Sequence, residues 1–76
     1  MNYIELVLLG NLTIGQQDDV VMSLDYLGFY VDDIVEYRGT ASLLIESRKD
    51  FTTSDVQEIE MMMADEFSNL DYEIRA

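Results

Sequence analysis

FYVDDIVEYRGTASLLIES, residues 29–47, is two extended runs hinged on Arg38-Gly39. Phe29–Tyr37 is rich in β-branched and aromatic side chains and Thr40–Ser47 in aliphatic ones, the composition of a pleated, half-buried surface. Two such runs separated by a dipeptide containing glycine read as a β-hairpin. Asp32-Asp33 interrupts the first run in its middle, which is where a β-bulge is expected.

Each half of the chain flanks this hairpin with the same pair of elements. Upstream, Tyr3–Leu9 (YIELVLL) is a strand that stops at the turn signal Gly10-Asn11. Thr13-x-x-Gln16 is a capping box opening a helix, in which Val20, Leu24 and Leu27 recur at i, i+4 and i+7, and Gly28 is its stop. Downstream, Asp50–Ser54 offers several N-caps for a second helix that is expected to run to about Ser68 and to end at Asn69. Val56, Ile59, Met63 and Phe67 mark its buried stripe, and Asp71–Arg75 (DYEIR) is a last short strand.

The order is β-α-β-β-α-β. Right-handed crossovers turn it into an α+β ferredoxin-like sandwich, four antiparallel strands with two helices on one face. With 76 residues, no proline and no low-complexity linker, residues 1–76 are expected to form a single small domain.

Sixteen Asp and Glu oppose four Lys and Arg, and histidine and cysteine are absent. The formal charge is −12, spread evenly: residues 1–38 hold seven acids and one Arg (−6), residues 39–76 nine acids and three basic residues (−6). Such a field repels nucleic acid and anionic membrane and attracts cationic surfaces. The longest apolar run, Leu6–Leu9, is far too short to span a bilayer, and Met1–Glu5 lacks the basic region of a signal peptide. The expectation is a soluble, unprocessed, cytoplasmic protein.

The parts of common active sites are missing. Ser42, Ser47, Ser54 and Ser68 have no histidine partner and Lys49 is the one lysine, so no nucleophile is expected to be activated. Adjacent acids such as Asp18-Asp19, Asp32-Asp33 and Asp65-Glu66 arise cheaply in so acidic a chain, and a domain this small rarely encloses a catalytic pocket. No zinc ligand set or calcium-loop spacing is present, and Asp32, Asp33 and Glu36 offer at most weak cation binding. Gly10–Gly15 has the Gly-x-x-x-x-Gly spacing of a phosphate loop but continues Gln16-Gln17, with Asp18-Asp19 placing negative charge on the helix's first turn. No enzyme, cofactor or metal is expected.

Two surfaces remain. On the sheet face away from the helices, alternation places Tyr3, Val7, Leu9 and Leu44, with Tyr30 and Ile34, as a partly apolar patch suited to a homodimer interface. On the outer sides of the helices, Met22 and Tyr26 stand among Asp18, Asp19 and Asp25, and Met61 among Asp55, Glu58, Asp65 and Glu66. Apolar side chains framed by carboxylates suit a basic protein partner. A helix of fourteen residues spans about 21 Å, and its acids, lower in linear density than the duplex's one charge per about 1.7 Å, are of the same kind.

The expected function is therefore a non-enzymatic acidic interaction protein, of the type of phage or mobile-element inhibitors that occupy the basic surface of a nucleic-acid-binding host protein as a DNA or RNA mimic. Its place would then be the host cytoplasm. The βαββαβ order and the Gly10–Gly15 loop are also similar to ACT-type amino-acid-binding domains, which implies a small-molecule regulatory module, although the Asp-x-Pro-Gly-like start of that family is absent. A homodimeric structural or assembly subunit is the third expectation.

Overall fold

Two aliphatic strands pair at the centre of the fold. In the computed structural model, which describes residues 3–10, 12–46 and 51–75, β1 (Tyr3–Leu9) lies antiparallel to β3 (Thr40–Glu46). The register aligns Ile4 with Ile45, Leu6 with Leu43 and Leu8 with Ala41, so these six side chains form one apolar row. β2 (Val31–Tyr37) adds to β3 and β4 (Asp71–Arg75) to β1, both antiparallel, giving the order β2-β3-β1-β4.

α1 (Ile14–Tyr26) crosses from β1 to β2, and α2 (Thr53–Glu66) crosses from β3 to β4. Both cover the same sheet face, because Val20 and Leu24 of α1 and Ile59, Met62 and Met63 of α2 join the six-residue row in one core. Phe29 and Phe51, just ahead of β2 and α2, close that core with ring centroids 6.1 Å apart. Each fully buried Leu or Ile contributes about 1.5–3 kcal/mol. The chain is thus a small α+β domain of the ferredoxin-like arrangement, as the sequence predicts.

Local signals set the element ends. Thr13 caps α1: its Oγ1 accepts from the Gln16 N–H at 3.1 Å while Gln16 Oε1 accepts from the Thr13 N–H at 3.0 Å. Gly28, at φ +91°, ends the helix; its N–H donates to the Asp25 carbonyl and the Phe29 N–H to the Leu24 carbonyl, a Schellman pair. Arg38 and Gly39 both take positive φ in the two-residue hairpin turn, and the Arg38 guanidinium lies 5.2 Å from the Tyr37 ring centre.

Several boundaries differ from the sequence reading. β2 begins at Val31 rather than Phe29, because Phe29 is drawn into the core. α2 ends at Glu66, capped by Phe67, and Asn69 does not take the left-handed conformation. Asp18 and Asp19 fall in the second turn of α1, since capping by Thr13 starts the helix at Ile14. Ser47 and Asp50 lie outside the described residues.

Leu43→Ala should cost about 2–5 kcal/mol in urea unfolding, whereas Leu44→Ala, on the opposite face, should cost about 1.5 kcal/mol or less. Gly28→Ala should cost about 1–2 kcal/mol from backbone strain alone, since nothing lies within 4 Å of an added Cβ. Equal losses at Leu43 and Leu44 would contradict the assignment of faces.

Candidate functional site

The outer surface of the helices carries most of the acidic residues that the sequence places there, with Asp55 the exception. Asp18, Asp19 and Asp25 of α1 and Glu58, Glu60, Asp65 and Glu66 of α2 are all exposed. Among them stand Met22 (69% exposed), Tyr26 (91%) and Met61 (65%). The helical period explains this: burying Val20 and Leu24 turns Met22 and Tyr26 outward, and burying Ile59, Met62 and Met63 turns Met61 outward. Neither described basic side chain, Arg38 or Arg75, forms an ion pair with any of these acids. Arg75 instead reaches Glu73 at 3.2 Å and Glu5 at 4.0 Å, on the far side of the sheet.

Asp55 belongs to a different role. Its Oδ2 accepts from the Thr52 N–H at 2.8 Å and its own N–H donates to Thr52 Oγ1, so the carboxylate is engaged in the capping box of α2. It is half-buried and not part of the outward acidic surface.

Two open clefts adjoin the helices. One, of about 380 Å³, is lined by Met22, Ser23, Tyr26 and Leu27 at the end of α1 and by Glu66, the last residue of α2. The other, of about 310 Å³, lies between the loop after β1 (Gly10, Leu12, Ile14) and the hairpin turn (Tyr37, Arg38, Gly39). The segment that carries the ACT-type resemblance forms a wall of this second cleft.

The open sheet face is partly as expected. β1 presents Tyr3, Glu5, Val7 and Leu9 there, and β3 presents Ser42 and Leu44. Val7, however, is only 3% exposed, packed between its cross-strand neighbours Ser42 and Glu73. Ile34 is not on this face: it lies opposite Leu43, on the side of the helices. The cause is the bulge at Asp32, between Val31 (opposite Ile45) and Asp33 (opposite Leu44). One extra residue reverses the alternation beyond it, so Val35 and Tyr37, at 51% and 67% exposure, take the open face instead. Tyr30 precedes the strand and is exposed between core-packed Phe29 and Val31. The same register sends Asp33 and Glu36 to opposite faces, so Asp32, Asp33 and Glu36 do not converge on a cation. Among the described residues no cluster of three or more potential metal ligands exists, and no helix is long and apolar enough to cross a membrane.

No protein-family model, curated protein or solved structure matches this chain.

The energetics of the acidic surface and of Asp55 should separate cleanly. Asp55→Ala should cost about 1 kcal/mol through loss of the cap. Glu58→Ala should be neutral or stabilising, because it relieves like-charge repulsion. For the same reason the melting temperature should rise as NaCl is raised to about 0.5 M. A flat salt response would mean that repulsion among the carboxylates is negligible.

Proposed function

We propose that this protein is a non-enzymatic acidic interaction protein whose helical surface occupies the basic surface of a nucleic-acid-binding partner, in the manner of a nucleic-acid mimic. The observation that supports this reading is the row of outward carboxylates on α1 and α2, without ion-pair partners among the described residues and interrupted by exposed Met22, Tyr26 and Met61. Carboxylates left unneutralised keep their field available to a cationic surface and speed its approach. Exposed Met and Tyr supply adaptable apolar contact at the centre of such an interface. Asp18, Asp19, Asp25, Glu58, Asp65 and Glu66 are the charged contacts, and Asp55 shapes the helix that carries them. An inhibitor of phage or mobile-element type, acting in the host cytoplasm, is the setting that suits this chemistry.

The test is capture of a basic protein at low salt, its loss as salt rises, and its displacement by duplex DNA. Reversal of Asp18, Asp19, Glu58 and Asp65 to Lys together should weaken binding at least about tenfold, with the fold intact by circular dichroism. Undiminished binding by that variant, or a captured protein that DNA does not displace, would overturn the proposal.

A second reading, homodimerisation through the open sheet face, is favoured by the exposed Tyr3, Leu9, Val35 and Tyr37. Its salt response has the opposite sign, since two chains of charge −12 must approach each other. A dimer should therefore strengthen with salt in sizing chromatography and be lost on Val35→Glu. An elution volume unchanged by salt and by Val35→Glu would exclude this interface.

A further inference from the structure

The sheet ends in two unlike edges, β2 and β4. An edge strand presents unpaired backbone N–H and C=O groups, and proteins guard such edges with bulges, lysine, proline or like charge. β2 is guarded: it is bulged at Asp32, and its charged residues Asp32, Asp33 and Glu36 are all acidic. β4, DYEIR, pairs with β1 in unbroken register and contains neither lysine nor proline. It also mixes both signs of charge, because it carries Arg75.

The register against β1 sorts the β4 residues by face. Tyr72 and Ile74 lie opposite Leu8 and Leu6, so they extend the core row, and both are only half-buried. The row therefore stops at β4 with its outermost members partly uncovered. Asp71, Glu73 and Arg75 lie opposite Leu9, Val7 and Glu5 on the open face, and all three are exposed.

This strand is complementary to itself. A two-fold axis that joins two antiparallel edges into one sheet pairs the residue at its centre with its own copy. Centred on Tyr72, it would oppose Asp71 to Glu73, and centred on Ile74 it would leave Asp71 unpaired. Centred on Glu73, it engages the whole strand: Asp71 faces Arg75 of the second copy, and Tyr72 faces Ile74 of the second copy, each twice. The remaining Glu73–Glu73 contact is eased because each Glu73 already accepts from its own Arg75 at 3.2 Å. A guanidinium has donors enough to serve both carboxylates.

We propose that β4 is a self-association edge: a second copy of this chain adds antiparallel to it, centred on Glu73, and continues the sheet and its apolar row. Backbone hydrogen bonds along the edge supply affinity, and the charge pattern fixes the register. The axis keeps the helices of both copies on the same side, so their acidic surfaces stand side by side. This interface is distinct from the open sheet face and does not depend on the acidic-interaction reading.

The experiment follows sedimentation of the whole chain from micromolar to millimolar concentration. Salt is held at about 0.15 M, where a Debye length of about 8 Å screens the two net charges more than the contact pairs. The expected result is a concentration-dependent equilibrium between monomer and dimer. Asp71→Arg and Arg75→Asp each oppose like charges at both ends of the edge and should weaken the dimer about tenfold or more. Mixed in equal amounts, the two variants should pair with each other, because their charged ends are then opposite in sign. Glu73→Gln removes the like-charge contact on the axis and should tighten the dimer about twofold or more.

A chain that sediments as a monomer throughout overturns the proposal, and so does a dimer lost on Val35→Glu, which would belong to the open face. Failure of the two charge variants to pair when mixed, with each folded by circular dichroism, also overturns it. A dimer weakened by Glu73→Gln would place Glu73 off the axis and defeat the inference.

Discussion

The pairing of β1 with β3 places Ile4, Leu6 and Leu8 beside Ile45, Leu43 and Ala41 in a single sheet row, and the remaining elements are organised by the need to cover it. Both helices use their buried stripes for that purpose, and both edge strands attach to this central pair. One side of the sheet is wholly apolar at its centre, whereas the other mixes Glu5, Ser42 and Arg75 with Val7, Leu44 and Val35, so the helices gain most by packing on the first. One-sided layering follows, and with it the separation of an outer helical surface from an open sheet surface.

That separation is what gives the charge its meaning. A formal charge of −12 on 76 residues opposes compaction, and the core must hold against it. The described cations do little to relieve the strain on the helical side, since Arg75 is engaged with Glu5 and Glu73 and Arg38 rests over Tyr37. Met22, Tyr26 and Met61 are thus exposed among carboxylates that no described cation pairs with. A protein selected for stability alone would place lysine or arginine in the last turn of each helix, and this one places aspartate and glutamate there. Both helices thus forgo the favourable interaction that basic side chains make with the carbonyls of a last turn.

Much of this architecture was legible in the residues. Thr13-x-x-Gln16 and Gly28 delimit α1 as their chemistry requires, and Arg38-Gly39 turns the hairpin. The outward positions of Met22, Tyr26 and Met61 followed from helical period alone. Ile34 did not follow, because in a strand every face assignment depends on unbroken alternation. The adjacent acids Asp32-Asp33 signalled a bulge, but which residue was extra depends on the partner strand. Once Val31 lies opposite Ile45 and Asp33 opposite Leu44, Val35 and Tyr37 must replace Ile34 on the open face. Asp55 has the composition of a surface acid, and only its hydrogen bonds to Thr52 tie it to the helix start.

Composition and local pattern by themselves determined the element order, the one-sided core and a strongly acidic surface. These are properties of short windows: hydrophobic period, capping chemistry and charge. Only the tertiary structure decided the register of β2, the burial of Val7 between β3 and β4, and the meeting of Met22, Tyr26 and Leu27 with Glu66 in one cleft. Each depends on contacts between segments far apart in the chain. Glu66 and Tyr26 are separated by 40 residues, and no local rule relates them.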